Sequence, residues 1–181
     1  GAENMEKIRI GIVGYGNLGR GVQYASAQNP DTEVVAVFTR RAPETVKTVL
    51  PVKVEKYEDM KNYVGKIDVM ILCGGSATDL PAQSAEIAGL FNTVDSFDTH
   101  AKIPEYFAAL DKSAKDAGHL SAMSIGWDPG LFSLARIYFG SSLADGSTYT
   151  FWGKGVSQGH SDAIRRVKGV KDARQYTVPV E

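Results

Sequence analysis

Ile8-Arg9-Ile10-Gly11-Ile12-Val13-Gly14-Tyr15-Gly16-Asn17-Leu18-Gly19 is the stretch that decides the fold of this chain. The apolar run from Ile8 to Val13 has the composition of a buried parallel strand. It runs directly into Gly14-Tyr15-Gly16-Asn17-Leu18-Gly19, after which a helical pattern extends from about Leu18 to Gln28. Three glycines in a G-x-G-x-x-G arrangement between strand and helix form the dinucleotide fingerprint. Gly14 permits the tight turn, Gly16 lets backbone approach a pyrophosphate, and Gly19 lets helix pack on strand. The free N–H groups and partial positive charge of the helix N-terminus suit the phosphates.

Working outward, a second strand, Val34-Val35-Ala36-Val37-Phe38, ends beside the expected adenosine ribose. Sites for NAD usually place Asp or Glu there to accept from the 2′-hydroxyl, whereas NADP sites need positive charge for a 2′-phosphate. Here the strand runs into Thr39-Arg40-Arg41, with no carboxylate before Glu44. In a solvated loop an Arg-Arg pair carries no message. At this strand end its guanidinium forks suit a phosphate dianion, and the position favours NADP(H).

The rest of the chain continues the rhythm. Asn29-Pro30-Asp31 breaks the first helix, and Pro43 is placed to open a helix running to Leu50. Val52 to Val54 reads as a short strand and Glu58 to Val64 as a short helix. Ile67 to Cys73 is a buried strand, Asp79 to Ala88 a helix, and Asn92 to Asp95 a strand. Pro104 to Ala117 carries apolar residues at helical spacing; His119 to Met123 is a strand and Leu131 to Phe139 a helix. Alternation of this kind specifies a doubly wound parallel α/β sheet of the Rossmann type. The rhythm breaks after Gly140, where Ser147 to Gly153 and Gln175 to Val178 read as antiparallel strands flanking a polar segment. A dinucleotide-binding domain over residues 5–143 is therefore expected to precede the beginning of an α+β substrate-binding domain over residues 144–181.

Composition narrows the class. With 181 residues the chain holds one substantial domain, or a nucleotide domain with a small addition. Twenty Lys and Arg against 21 Asp and Glu give a net charge of −1, without the basic footprint of a nucleic-acid partner. No apolar run approaches the roughly 20 residues of a membrane span. The single cysteine, Cys73, excludes an internal disulfide and fits a reducing compartment, and no charged-then-apolar leader is visible. A cytoplasmic location is expected. Gly1 to Asn4, ahead of Met5, read as an expression remnant.

Chemistry is expected at the carboxyl ends of the strands. Cys73-Gly74-Gly75-Ser76-Ala77-Thr78 offers small residues for close backbone approach and hydroxyls for a ribose. Cys73 has no activating neighbour and reads as a small buried residue rather than a nucleophile. Asp95-Ser96-Phe97-Asp98-Thr99-His100 crowds two carboxylates and an imidazole where a substrate would meet the nicotinamide. Asp98 suits a substrate ammonium and His100 a proton shuttle, while Asp95 also suits a turn. In Trp127-Asp128-Pro129-Gly130, Asp128 serves either as a helix cap or as a cation's partner against an apolar wall. His100, His119 and His160 lack metal-ligand spacing, so no metal is expected.

Together these segments resemble the meso-diaminopimelate dehydrogenase family. The resemblance rests on Ile12 to Arg20, Thr39-Arg40-Arg41, Gly75 to Asp79 and Gly126 to Gly130. It continues through Phe151-Trp152-Gly153 and Ser157-Gln158-Gly159-His160-Ser161-Asp162-Ala163, and these last two motifs are far more specific than the glycine fingerprint. Members oxidatively deaminate meso-2,6-diaminopimelate at its D-centre to L-2-amino-6-oxopimelate and ammonia, reducing NADP, on a route toward lysine. The resemblance implies that Tyr15, Asn17, Leu18, Thr39, Arg40, Arg41 and Cys73, Gly74, Gly75 and Ser76 line the NADP site. Ser96 and Phe97, with Ile125, Gly126, Trp127, Asp128 and Pro129, would complete it near the nicotinamide. Asp98 and Asp128 match the carboxylates that hold the reacting ammonium, with Trp127 and Trp152 as walls, and Gln158, Gly159 and Thr177 match positions gripping the rest of the substrate. A homodimer is likewise implied.

Family members continue well beyond Glu181, so the 181-residue form is expected to bind NADP(H) and to lack part of the substrate site. Two other readings fit the nucleotide domain: a different NADP-dependent dehydrogenase or reductase, and a non-catalytic NADPH-binding module.

Overall fold

The computed structural model describes residues 6–146 and 155–178. The elements in chain order are β1 (Ile8–Val13), α1 (Asn17–Gln28), β2 (Thr32–Thr39), β3 (Lys53–Lys56), β4 (Val69–Leu72), α2 (Asp79–Ala88), β5 (Asn92–Asp95), α3 (Ile103–Ala117), β6 (Ser121–Ala122), α4 (Leu131–Ser141), β7 (Gly155–Ser157), α5 (Gln158–Arg165) and β8 (Gln175–Thr177). Strands β1 to β6 form one parallel sheet in the order β3-β2-β1-β4-β5-β6. This is the doubly wound Rossmann topology, and its order reverses direction between β1 and β4. The crevice at that reversal is where the glycine turn sits.

The sequence explains the layers. On α2, Leu80, Ser84, Ile87 and Ala88 are buried, and on α3, Tyr106, Leu110 and Ala114; each set recurs at the spacing of one helical face. These faces cover one side of the sheet, in a core that includes Phe38, Met70, Leu72 and Phe97. Gly118, at φ +72, ends α3 in the left-handed conformation that glycine supplies. On the other side α1 buries Gly19, Gln23 and Ser26 and packs Val22 against the core that holds Ile10, Ile12 and Val37; Gly19 alone marks the point of closest approach. A Cβ on Gly11 would lie 2.5 Å from the Met70 sulfur, so the middle of β1 leaves room for a neighbour's side chain.

Two elements differ from expectation. The helix predicted from Pro43 to Leu50 is only a 3₁₀ turn at Pro43–Thr45. Val46, Thr48 and Val49 disfavour helix, and tertiary bonds take over the backbone: Val49 N–H donates to the Tyr15 hydroxyl at 2.9 Å, and the Leu50 carbonyl accepts from Gln23 at 3.0 Å. Glu58 to Val64 is likewise 3₁₀, over Tyr57–Tyr63.

The chain divides into two compact units, Gly1–Ala135 and Arg136–Glu181, with the division inside α4. In the second, β7 pairs antiparallel with β8, and α5 follows β7 directly. The polar segment expected to connect two strands thus supplies both a strand and a helix. The strand expected over Ser147 to Gly153 lies outside the described residues. Among the described residues no helix is long and apolar enough to cross a membrane.

At the end of the sheet opposite the glycine turn, Arg9 grips Asp68 through Nε at 3.0 Å and Nη2 at 2.7 Å, and its backbone N–H adds 2.8 Å. These bonds hold the Asp68 carboxyl down at about 2, from an ordinary 3.8. A lowered folded-state value stabilises the protein above pH ~4, and that contribution disappears as pH falls through about 2. Asp68→Asn is therefore expected to lower the urea midpoint at pH 7, with the gap from the parent closing between pH ~4 and ~2. A pH-independent gap in urea melts would refute the assignment.

Candidate active site

Because the sheet is parallel, the carboxyl ends of β1, β2, β4, β5 and β6 share one edge. Gly14 leaves β1 at φ +85, and a Cβ there would press on the Cys73–Gly74 peptide at 3.3 Å. Gly19 is tighter still: a Cβ would lie 2.4 Å from the Gly14 carbonyl oxygen. Gly16 has nothing within 4 Å of its missing Cβ. It caps α1 without a side-chain bond, and no acidic residue occupies the first turn with Asn17 and Leu18. Helix N–H groups facing open space beside a glycine make a cradle that fits a pyrophosphate.

Next to this cradle, Thr39 is buried and its hydroxyl accepts the Arg41 N–H at 3.1 Å. Arg41 Nη2 donates to the Tyr15 carbonyl at 3.2 Å, and Arg40 Nη2 meets Asp79 Oδ1 at 2.5 Å. Both arginines line an open cleft of about 560 Å³ shared with Gly14, Gly16, Cys73 and Gly75. The donor set fits a phosphorylated ribose. Tyr15 contributes through its backbone: its ring is buried and its hydroxyl donates to Gln23. Burial pushes the Cys73 thiol up to about 12, which keeps it protonated and unreactive at neutral pH.

The far end of the edge is organised by Asp95, 2% exposed. Its Oδ1 accepts the N–H groups of Phe97 at 2.9 Å and Ser124 at 3.1 Å, and Oδ2 accepts the Tyr106 hydroxyl at 2.6 Å. The Asp95 carbonyl accepts Ile125 N–H at 2.8 Å, and Ser124 Oγ donates to the Phe97 carbonyl at 2.8 Å. Burial and the bond to Asp95 raise the Tyr106 phenol, so it stays a donor. Phe97 is buried and stacked on Tyr106 at 3.9 Å, with its N–H and carbonyl engaged by Asp95 and Ser124. Asp98 is exposed, and its N–H donates to Ser76 Oγ at 3.1 Å, joining the β4 and β5 loops.

Gly126 to Gly130 close into a tight turn. Gly126 N–H donates to the Pro129 carbonyl at 3.1 Å, and the Gly126 carbonyl accepts Leu131 N–H at 3.0 Å. Gly130, at φ +142, leaves no room for a Cβ against that carbonyl. Trp127 is 58% exposed and stacks on Phe132 at 5.6 Å. Asp128 accepts from Ser133 Oγ at 3.2 Å, which ties it to the first turn of α4. Gly126 packs on Ser96, where a Cβ would come within 3.2 Å, so the loops carrying Asp98 and Asp128 abut.

Comparison with known proteins places this geometry. The family described as oxidoreductase family, NAD-binding Rossmann fold, matches residues 8–103, and the diaminopimelic acid dehydrogenase C-terminal domain matches residues 126–181. Meso-diaminopimelate D-dehydrogenase of Ureibacillus thermosphaericus is 63% identical over 177 residues, 98% of this chain and 54% of its own length. The chain belongs to the diaminopimelate dehydrogenase family. It spans about half the length of the curated relatives it matches. A solved DAP dehydrogenase of Corynebacterium glutamicum in complex with DAP superimposes with a TM-score of 0.85 at 46% identity, covering 97% of this chain and 53% of that one. An engineered D-amino acid dehydrogenase bound to NADP+ gives 0.81 at 44%, covering 96% and 53%.

The remaining positions expected to meet a substrate lie in the second unit. Gln158 and Gly159 open α5, and Thr177 pairs with Gly155 on the hairpin. There His160 Nδ1 lies 2.9 Å from both Ser157 Oγ and Gln175 Oε1, which marks it as a hydrogen-bonded structural histidine. Trp152 lies outside the described residues. Sequence reasoning does not find Asp79 as the partner of Arg40, nor Tyr106 and Ser124 as supports of Asp95. Their contacts span 39, 11 and 29 residues and leave no local pattern.

The glycines separate ligand from fold. Gly16→Ala is expected to keep the unfolding midpoint and lose dinucleotide affinity. Gly19→Ala is expected to cost roughly 1–3 kcal/mol of stability through the clash with the Gly14 carbonyl. Thermal melts alongside dinucleotide titrations of both variants check this; equal destabilisation would remove Gly16 from the cradle.

Proposed function

We propose that this chain is the cofactor and D-centre half of an NADP-dependent diaminopimelate dehydrogenase. The reaction is the oxidative deamination of meso-2,6-diaminopimelate at its D-centre to L-2-amino-6-oxopimelate and ammonia, reversible and on the route to lysine. The observation that carries this reading is that the loops bearing Asp98 and Asp128 abut at the strand ends, joined through Ser76 to the edge that holds the glycine turn. The bound states of the two solved relatives support it. The nucleotide domain is assigned to residues 5–143 and the beginning of the substrate domain to residues 144–181, in a cytoplasmic homodimer.

Each residue then has a physical task. The α1 N-terminus at Gly16, Asn17 and Leu18 holds the pyrophosphate, with Gly14 and Gly19 shaping the turn. Thr39, Arg40 and Arg41 take the 2′-phosphate, and Cys73, Gly74, Gly75 and Ser76 let the ribose lie close to backbone. Ser96, Phe97 and Ile125 to Pro129 flank the nicotinamide, which when bound supplies the hydride acceptor. Asp98 and Asp128 orient the substrate ammonium and stabilise the positive charge that develops as its carbon is oxidised. One of them, or a water they hold, takes the amine proton. Trp127 and Trp152 wall the D-centre, while Gln158, Gly159 and Thr177 hold the distal part of the substrate.

Arg40→Ala combined with Arg41→Ala is expected to weaken NADPH far more than NADH, since each charged phosphate contact contributes on the order of 1.5–3 kcal/mol. Calorimetry with both cofactors measures this, and equal losses would refute the 2′-phosphate assignment. A protein of the relatives' full length is expected to reduce NADP with meso-diaminopimelate and not with the LL isomer. Silence toward both isomers, with NADPH still bound, would favour a non-catalytic cofactor module.

A further inference from the structure

Arg40, after β2, and Asp79, the first residue of α2, meet across the cleft at 2.5 Å. The two are not equally exposed. The Arg40 side chain is 64% exposed on a loop, whereas that of Asp79 is 25% exposed. The Asp79 Oδ2 accepts the Gly75 N–H at 3.0 Å, and the Gly74 backbone presses against its Cβ, where an added Cβ would lie 2.6 Å away. Its negative charge also suits the start of a helix. The carboxylate is thus fixed at the cleft wall, among Thr39, Arg40 and Arg41.

A carboxylate in this neighbourhood is what an NAD site uses to accept from a ribose hydroxyl, and a 2′-phosphate is repelled by it. Here a guanidinium covers it, and a guanidinium carries five donors, more than one carboxylate oxygen consumes. Resting on the NADP assignment above, we propose that Asp79 is a specificity-determining residue of the cofactor site. Covered by Arg40, it positions that side chain for the 2′-phosphate. Uncovered, it rejects the phosphate and accepts from a free ribose hydroxyl. Arg40 therefore has a second role beyond contacting phosphate: it neutralises a fixed carboxylate.

A double-mutant cycle on this chain tests the proposal, with NADPH and NADH affinities measured by calorimetry and thermal melts for each variant. Asp79→Asn keeps an oxygen for the Gly75 N–H, so the loop is preserved. Arg40→Ala is expected to weaken NADPH by about 100-fold, the upper end for one charged contact, and to leave NADH binding no weaker. Adding Asp79→Asn to Arg40→Ala is expected to restore NADPH binding by about fivefold or more, less so at 1 M salt, and to weaken NADH. Asp79→Asn alone is expected to change NADPH binding less than it does in the Arg40→Ala background. NADPH affinities of Arg40→Ala and the double variant that agree within about twofold would overturn the proposal while leaving the NADP assignment intact. Equal loss of NADPH and NADH in Arg40→Ala would instead overturn the assignment on which it rests.

Discussion

Close approach of the first helix to the first strand governs the architecture of this edge. Gly19 on α1 sits directly over the Gly14 carbonyl, closer than any side chain permits. That contact sets the direction in which the helix start points, and so where its unpaired N–H groups converge. Beyond Gly19 the helix needs no such proximity: Gln23 is buried with its side chain reaching the Leu50 carbonyl, and Val22 packs against the core.

The opposite end of the edge solves a different problem by different means. The loops after β5 and β6 are irregular backbone, and Asp98, Ile125 and Trp127 on them are exposed. A buried carboxylate, Asp95, collects donors from both loops, and the Tyr106 hydroxyl completes its coordination from α3. Charge-assisted bonds of this kind are short and directional, which suits them to holding irregular backbone. Ser124 accepts a positive φ of 58 within this arrangement and bonds the Phe97 carbonyl, closing the link between the loops.

Elements whose partners are local were legible in the sequence. Apolar periodicity gives β1, α2 and β5 to the residue, and the glycine spacing gives the turn and its ligand class. The segment from Pro43 to Leu50 was not legible as an extended connection, because Tyr15 and Gln23 hold it from another part of the chain. β7 was missed for a related reason: three residues with glycine and serine carry no strand signal, and their pairing with Gln175–Thr177 alone creates one. The site residues divide along the same line. Arg40 and Arg41 are informative through their place after a strand, and Asp98 through its place after another. Asp79 acquires meaning only when folding brings the start of α2 to Arg40.

Tyr15 sits between two glycines of the phosphate turn yet faces away from the cleft, with its hydroxyl joined to Gln23 and Val49. The arch from Thr39 to Val49 is consequently pinned at both feet, by the strand at one and by this phenol at the other, while Arg41 is tethered to the Tyr15 carbonyl along the way. An arch so spanned has a fixed contour length. Insertions and deletions are therefore expected to be rarer between Arg41 and Val49 than in a surface loop of ordinary freedom, because a change in length would carry the arginines out of register with the turn they serve.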